Sequence, residues 1–261
     1  MVLVRLNKGI IYGIVSLLII TATGIHLQFL DAVTTALRAD NALPVCSVEC
    51  YGNPQLSLSF DLERGEENVD EILAILESYQ VKSTFFVVGE WAKEHSALIH
   101  KIVEQGHEVM SHSETNLDLT HQSAAQIRSE MIAANEVITE LTGNKPFLFR
   151  IPHGKYDETV LQVCEEEGMI PILWSIDSGD LDGRNAIASA NDVVAQLRPG
   201  EIVLFHNDAS RTPIILQRVL AYLGETELKP VPIGVMIHRE KWAVDENGRQ
   251  VLKGGEISTL N

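Results

Sequence analysis

The sequence is short of basic residues. Lys and Arg number 20 against 36 Asp and Glu, a formal net charge of −16 at pH 7. Phosphate binding needs a basic stripe and none is present, which argues against a nucleic-acid partner. Cysteine is scarce too, with three in 261 residues. Cys46 and Cys50 form a C-x3-C pair without a neighbouring His or further Cys. That is too little to assign a metal there. A disulfide between them is left open, although so short a loop is easily strained. Cys164 falls on the core side of a helical stretch and reads as a small apolar filler. Internal repeats and low-complexity tracts are absent.

One stretch lacks charge altogether. Gly9 to Leu30, 22 residues, holds no Asp, Glu, Lys or Arg and lies between Arg5 with Lys8 and Asp31. At about 1.5 Å per residue it would reach roughly 33 Å, enough to cross a bilayer. The basic flank predicts an inside N-terminus. A cleaved signal peptide would have a shorter apolar core and a clear A-x-A site, which does not follow. A core helix fits poorly beside a terminal basic pair. The expectation is a cytoplasmic segment 1–8, a transmembrane anchor 9–30, a stalk 31–54, a main domain 55–238, and a C-terminal hairpin and tail 239–261. The hairpin is read from Asn247-Gly248 between strand-like arms in Lys241 to Leu252. With these goes a single-pass location in the cell membrane, the domain extracellular and the membrane itself a partner through the N-terminal helix.

With 45% hydrophobic residues the chain can bury one large core. Strand patterns occur at Leu56 to Phe60, Ser83 to Val88, Glu108 to Met110, Phe147 to Arg150, Ile170 to Trp174, Ile202 to Phe205 and Val231 to Ile233. Helical patterns lie between them, at Val69 to Ser78, Trp91 to Glu104, Ala124 to Leu141, Glu158 to Glu167, Asn191 to Leu197 and Pro213 to Leu223. This alternation predicts parallel βα units, an α/β protein. A barrel and a doubly wound sheet share the pattern, and closure cannot be read from it.

Strand ends carry polar residues that a purely structural chain does not need. Asp61 ends the first strand; Ser111, His112 and Asn116 follow the third. Arg150, Pro152, His153 and Gly154 follow the fourth. Asp177 and Asp180 come after the fifth, and His206 after the sixth. Each alone reads plainly as a cap, a turn or a surface charge. Loops after parallel strands converge on one face, so five such coincidences are better explained by a shared site.

These stretches resemble the polysaccharide deacetylase family, the NodB-homology domain of carbohydrate esterase family 4. Its five motifs are matched in order by SFD at Ser59 to Asp61, SHSETN at Ser111 to Asn116, RIPHG at Arg150 to Gly154, WSIDSGD at Trp174 to Asp180 and LFH at Leu204 to His206. STFFVVGEWA at Ser83 to Ala92 and the tail WAVDENGRQ at Trp242 to Gln250 look like the Gram-positive, sporulation-associated branch. The resemblance implies a distorted (β/α) barrel of about seven βα units. It also implies removal of N-acetyl groups from a cell-wall glycan, peptidoglycan or a related N-acetylglucosamine polymer, with a divalent metal of the zinc or cobalt class. By the same resemblance Asp61 is the general base and His206 the general acid. Arg150 orients the base, and Asp180 tunes the acid. Pro152, His153, Gly154 and Trp174 line the sugar site, and His112 and Asn116 fall at metal-ligand positions.

The ligand positions depart from the family pattern. Typical members supply the second Asp of a TFDD motif and both His of H-x3-H; here those positions hold Leu62, His112 and Asn116. Leu cannot bind a metal, and an amide oxygen suits hard cations better than zinc. Glu63, Glu114 and His121 are candidate substitutes, with strand alternation expected to point Glu63 away. Two expectations follow: a hydrolase, or a catalytically silent homologue with a glycan-binding or structural role at the cell wall or spore envelope.

Overall fold

A computed structural model describes residues 43–253. Its strands are β1 (Ser47–Val48), β2 (Gln55–Leu62), β3 (Thr84–Val87), β4 (Glu108–Ser111), β5 (Leu148–Arg150), β6 (Ile170–Ile172), β7 (Ile176–Asp177), β8 (Ile202–His206), β9 (Lys229–Pro230), β10 (Trp242–Val244) and β11 (Arg249–Leu252). Its helices of four residues or more are α1 (Val69–Ser78), α2 (Gly89–Glu94), α3 (Ser96–Glu104), α4 (Ala124–Thr142), α5 (Glu158–Glu166), α6 (Ala186–Gln196), α7 (Thr212–Leu223) and α8 (Ile233–Met236).

Seven strands pair in the order β6-β5-β4-β3-β2-β8-β7, every pairing parallel, with β9 added beside the start of β2. Flat, such a sheet would be about 29 Å wide at 4.8 Å per strand. Yet β6 and β7 lie at opposite edges and only residues 173–175 join them, a link that spans at most roughly 14 Å. The sheet must therefore curl until its edges nearly meet, and this curled half-barrel is the distorted barrel expected. Residues 45–48 bridge the remaining gap. Val45 exchanges backbone hydrogen bonds with Pro171 and Leu173 beyond one edge, and Val48 N–H donates to the Gly200 carbonyl before β8.

Strand alternation sorts β2 between two environments. Leu56, Leu58, Phe60 and Leu62 are fully buried among α1 and α7 side chains such as Leu73 and Leu216. The Phe60 ring stacks at 5.0 Å on Phe85 and 5.4 Å on Phe205. Ser57, Ser59 and Asp61 take the other face, toward the barrel interior, where the Ser59 hydroxyl meets Arg150 of β5. Phe86, Met110, Leu148, Ile172 and Ile202 fill that interior with Val45 and Val48.

Several boundaries differ from the sequence expectations. The helix expected over 91–104 is broken at His95, whose backbone leaves the helical region while its ring packs 4.5 Å from Trp91. The strand expected at Val231 to Ile233 is not formed: β9 ends at Pro230 and α8 begins at Ile233, and Pro230 and Pro232 carry no ladder donor. The stretch expected as Ile170 to Trp174 ends at Ile172, and α6 begins at Ala186 under an Asn185 cap. Residues 43–54, expected as the end of a stalk, are part of the domain, since Val45 and Val48 are wholly buried. The Cys46–Cys50 bridge left open is not formed. Residues 47–48 between them are extended as β1. The hairpin β10–β11 forms as expected.

The single-pass extracellular placement is corrected. Among the described residues no helix is long and apolar enough to cross a membrane. The segment 9–30 on which that placement and the membrane partner rested lies outside the described residues, as do 1–8, 31–42 and the tail after residue 253.

Candidate active site

The carboxyl ends of β2, β4, β5 and β8 bring four of the expected residues together. Asp61 is 3% exposed. Its Oδ1 lies 3.5 Å from Arg150 Nε, and its Oδ2 lies 3.7 Å from His112 Nε2. The Arg150 guanidinium is fully buried, donates to Ser59 Oγ at 2.6 Å and sits 4.4 Å over the Phe86 ring. Ser59 in turn donates to the Val203 carbonyl at 2.9 Å. Asp61 Oδ1 and Arg150 Nε are close enough to pair as charges but make no hydrogen bond. Arg150 therefore neutralises the carboxylate while leaving that oxygen free to accept.

Across β2 from this pair, His206 at the end of β8 is held by Asp180. Asp180 Oδ1 lies 3.0 Å from His206 Nδ1, and Oδ2 accepts the His206 backbone N–H at 2.7 Å. The Thr212 hydroxyl is within 2.7 Å of the same Oδ2. Because Nδ1 is engaged, Nε2 is the nitrogen left to carry a proton to a ligand. Burial pushes the imidazole pKa down, but the Asp180 hydrogen bond and charge, with Asp61 and Glu63, raise it to about 9. Burial likewise raises the Asp180 carboxyl, and its His206 partner brings it below the usual range. His206 is thus charged and able to donate at neutral pH, and loses that ability as pH rises through about 9. Asp180→Asn removes the main raising partner. We expect the alkaline limb of any deacetylation profile to move to lower pH in that variant, checked by rate against pH; an unmoved limb would assign it to another group.

Glu63, expected to point away, is turned into the site. Alternation sets it on the face of Asp61, two residues earlier, while Leu62 points into the helix layer. Glu63 Oε1 lies 3.1 Å from His112 Nε2, and His112 Nδ1 is anchored 2.9 Å from the Arg150 carbonyl. Burial works to raise the Glu63 carboxyl, but His112, His206 and Arg64 outweigh it and hold it at about 2. Burial works to lower the His112 imidazole, and Asp61 and Glu63 raise it overall. Oxygen or nitrogen atoms of Asp61, Glu63 and His206 all lie within 4.8 Å of one another.

The other expected residues are distributed around this centre. Asn116, with φ +57°, lines a groove of about 520 Å³ shared with Glu63, Glu90, Trp91, His95 and His153. Its side-chain oxygen is buried without a hydrogen-bond partner, and its carbonyl lies 3.0 Å from His153 Nε2. Pro152 is buried, and His153 is exposed at the groove. Trp174 does not line this groove; its ring lies 5.5 Å from the Arg150 guanidinium and closely over Gly154. Of the candidate substitutes, Glu114 is tied to Lys93 and His121 stays exposed on a short 3-10 turn. Thr212 and Ser59, which hold Asp180 and Arg150, carry no distinctive sequence signal, one being a hydroxyl at the start of a helix and the other a hydroxyl within a strand.

The polysaccharide deacetylase family profile matches residues 49–172. A chitooligosaccharide deacetylase of Sinorhizobium fredii is 32% identical over 157 residues, covering 60% of this chain and 73% of that protein. The uncharacterized protein YlxY of Bacillus subtilis is 28% identical over 153 residues, 59% of this chain. The chain spans 48% of that relative's length. The crystal structure of a carbohydrate esterase family 4 pseudoenzyme from Bacillus anthracis aligns with a TM-score of 0.71 at 28% identity, covering 75% of this chain and 69% of that one. A mutant of that pseudoenzyme with restored enzymatic activity aligns equally well. The chain belongs to the polysaccharide deacetylase family, carbohydrate esterase family 4.

Proposed function

We propose that the chain hydrolyses N-acetyl groups from an N-acetylglucosamine glycan of the cell wall, with Asp61 as general base and His206 as general acid. The observation that carries this is the pair of supported groups facing one site, Asp61 backed by Arg150 and His206 backed by Asp180, with ligand atoms within 4.8 Å. A buried base and a charged acid kept at that spacing favour hydrolysis.

The donor chemistry suits a divalent cation. Glu63 offers a carboxylate oxygen and His112 an imidazole nitrogen, while the buried side-chain oxygen of Asn116 and Asp61 Oδ1 have no hydrogen-bond donor. A cation held there would polarise the acetamide carbonyl and lower the pKa of the attacking water. Asp61 takes the proton of that water as its oxygen attacks the carbonyl carbon. Arg150 fixes the carboxylate's position from behind. His206 then gives its Nε2 proton to the amide nitrogen as the C–N bond breaks, leaving acetate and a free amine. Pro152, His153 and Gly154 border the sugar, His153 directly at the groove.

A second reading is a silent homologue that binds glycan or serves a structural role. It is favoured by Leu62, which faces away from the site, and by Glu63, which already satisfies His112 Nε2. Acetate release decides between them. The purified chain is incubated with N-acetylglucosamine oligomers and peptidoglycan fragments, with chelator and with added zinc, cobalt or manganese. Metal-dependent release is expected. Silence from a folded protein under every metal would establish the second reading.

A further inference from the structure

We propose that Asn207 and Asn68 form a two-sided amide clasp that fixes the loop after β2 against the loop after β8, and so sets Asp61 and Glu63 in position relative to His206. The inference rests on the deacetylase reading for what the clasp positions, and goes beyond it in naming two positioning residues for the base and acid.

The strand ladder does not reach far enough to do this. β2 and β8 pair in register from Ser57 with Ile202 to Asp61 with His206. That register closes with the bond from Asn207 N–H to the Asp61 carbonyl at 3.3 Å. Beyond it the two chains part, one toward α1 and the other toward α7, and Glu63, Arg64 and Gly65 lie past the end of β2 where they line the groove.

Two side-chain amides take over there. Asn207, 1% exposed, donates from Nδ2 to the Arg64 and Gly65 carbonyls, each at 2.9 Å. Asn68, the residue before α1, donates in the opposite direction, from Nδ2 to the Asn207 carbonyl at 2.7 Å and the Ala209 carbonyl at 3.1 Å. Each loop thus holds two carbonyls of the other. An Asn in front of a helix ordinarily caps it; Asn68 makes no cap bond and directs its amide across the gap instead. The same Gly65 carbonyl accepts from Trp91 Nε1 at 2.7 Å, and Arg64 Nε lies 3.7 Å from Asp208 Oδ2 across the same seam. Stability alone does not account for Asn207. Its Oδ1 is buried without a hydrogen-bond donor, a cost that an apolar residue of the same size would escape. Such a residue could not hold the backbone at Arg64 and Gly65.

The test compares the full chain with Asn207→Leu, Asn68→Ala, the double variant and Gln250→Leu. Gln250 is the matched control: wholly buried, it pairs its amide with the backbone N–H and carbonyl of His238, on the strand that joins β1. Acetate release is followed against pH, below the melting temperature of each protein. The Trp91 indole N–H is followed by proton–nitrogen NMR, assigned by its loss in Trp91→Phe. Asn207→Leu is expected to lower kcat roughly 10- to 100-fold, the cost of a misplacement of about 1 Å, and to move the Trp91 indole signal. The alkaline limb at about 9 should stay in place, because Asp180 still holds His206. Asn68→Ala should act in the same way and more weakly, and the double variant should be little worse than Asn207→Leu, as for residues that act as a unit. Gln250→Leu should lower Tm and leave kcat and the indole signal unchanged. Should Asn207→Leu fail to fold, Asn68→Ala, at a half-buried position, carries the same readouts. Wild-type kcat in the clasp variants, an unmoved Trp91 signal, a shifted alkaline limb, or an equal loss of kcat in Gln250→Leu would each overturn the proposal. No acetate release by the wild type would overturn the deacetylase reading instead, and the clasp would then stand or fall on the Trp91 signal alone.

Discussion

Asp61→Asn is expected to lower acetate release by about 10²–10⁴-fold, the worth of a positioned general base, and to destabilise the fold at the same time. From the sequence, where Asp61 reads only as a base at a strand end, loss of activity with unchanged thermal unfolding is the expectation. The structure revises it through Arg150. That guanidinium is wholly buried, and among the described residues Asp61 is its only ion-pair partner. Removing one member of a buried pair leaves the other uncompensated, at a cost of about 3–5 kcal/mol. The 3.5 Å separation and the missing hydrogen bond place this pair at the lower end. In a domain of this size that corresponds to roughly 6–12 °C in Tm. The double variant Asp61→Asn, Arg150→Met should recover most of the melting temperature and none of the activity. Recovery of neither would show that Arg150 does more than balance Asp61; a wild-type rate in Asp61→Asn would sink its assignment as base.

Gly200→Ala is expected to be among the most damaging single-methyl changes in the chain. Gly200 has φ +90°, where an L side chain is strained, and an added Cβ would fall 1.7 Å from the Val48 carbonyl oxygen. No rotamer relieves a clash with backbone. The residues that close the gap between the sheet edges must move away, breaking the Val48 N–H to Gly200 carbonyl bond of 2.9 Å. Strain of about 1–3 kcal/mol for the backbone alone, with the lost contact added, should lower Tm by roughly 10 °C. Gly143→Ala is the comparison. Its φ is +72° at the end of α4, but nothing lies within 4 Å of the added Cβ. Only the backbone strain remains, roughly 1–2 kcal/mol. Equal melting temperatures for the two variants would mean that the 45–48 segment contributes little to stability.

The βα alternation was legible because buried parallel strands and their covering helices leave long apolar runs, and six of the seven expected strands lie within the sheet. The seventh failed at Val231 to Ile233, where two prolines within an apolar run decide against a ladder. Closure was not legible, since it depends on the three-residue link between opposite edges and on 45–48 filling the gap. Those residues looked like a tether because nothing in their composition distinguishes a buried edge from a linker. At the candidate site, Asp61, Arg150, Asp180 and His206 could be placed together because each lies at or just beyond the carboxyl end of a strand. Their hydroxyl supports, Ser59 and Thr212, could not. Glu63 was not legible because position 62 carries the family's ligand, whereas Asp61 fixes the inward phase of the strand and puts 63 on its face.

The pairing of β1 with β11 has a consequence for how the chain folds. Ser47 lies opposite Arg249, about 200 residues away. That pair belongs to a separate three-stranded sheet, β1-β11-β10, whereas the strand pairs of the main sheet, except those that join β2 to β8 and β9, can form once a neighbouring βα unit has been made. The seam that ties the beginning of the described chain to its end can close only after most of the barrel exists, because loop-closure entropy delays distant contacts until local ones are in place. The domain is thus fastened last at the place where Val45 and Val48 enter its interior. Loosening should begin there too, at the far side of the fold's order of assembly, before the strands that carry Asp61 and His206 let go.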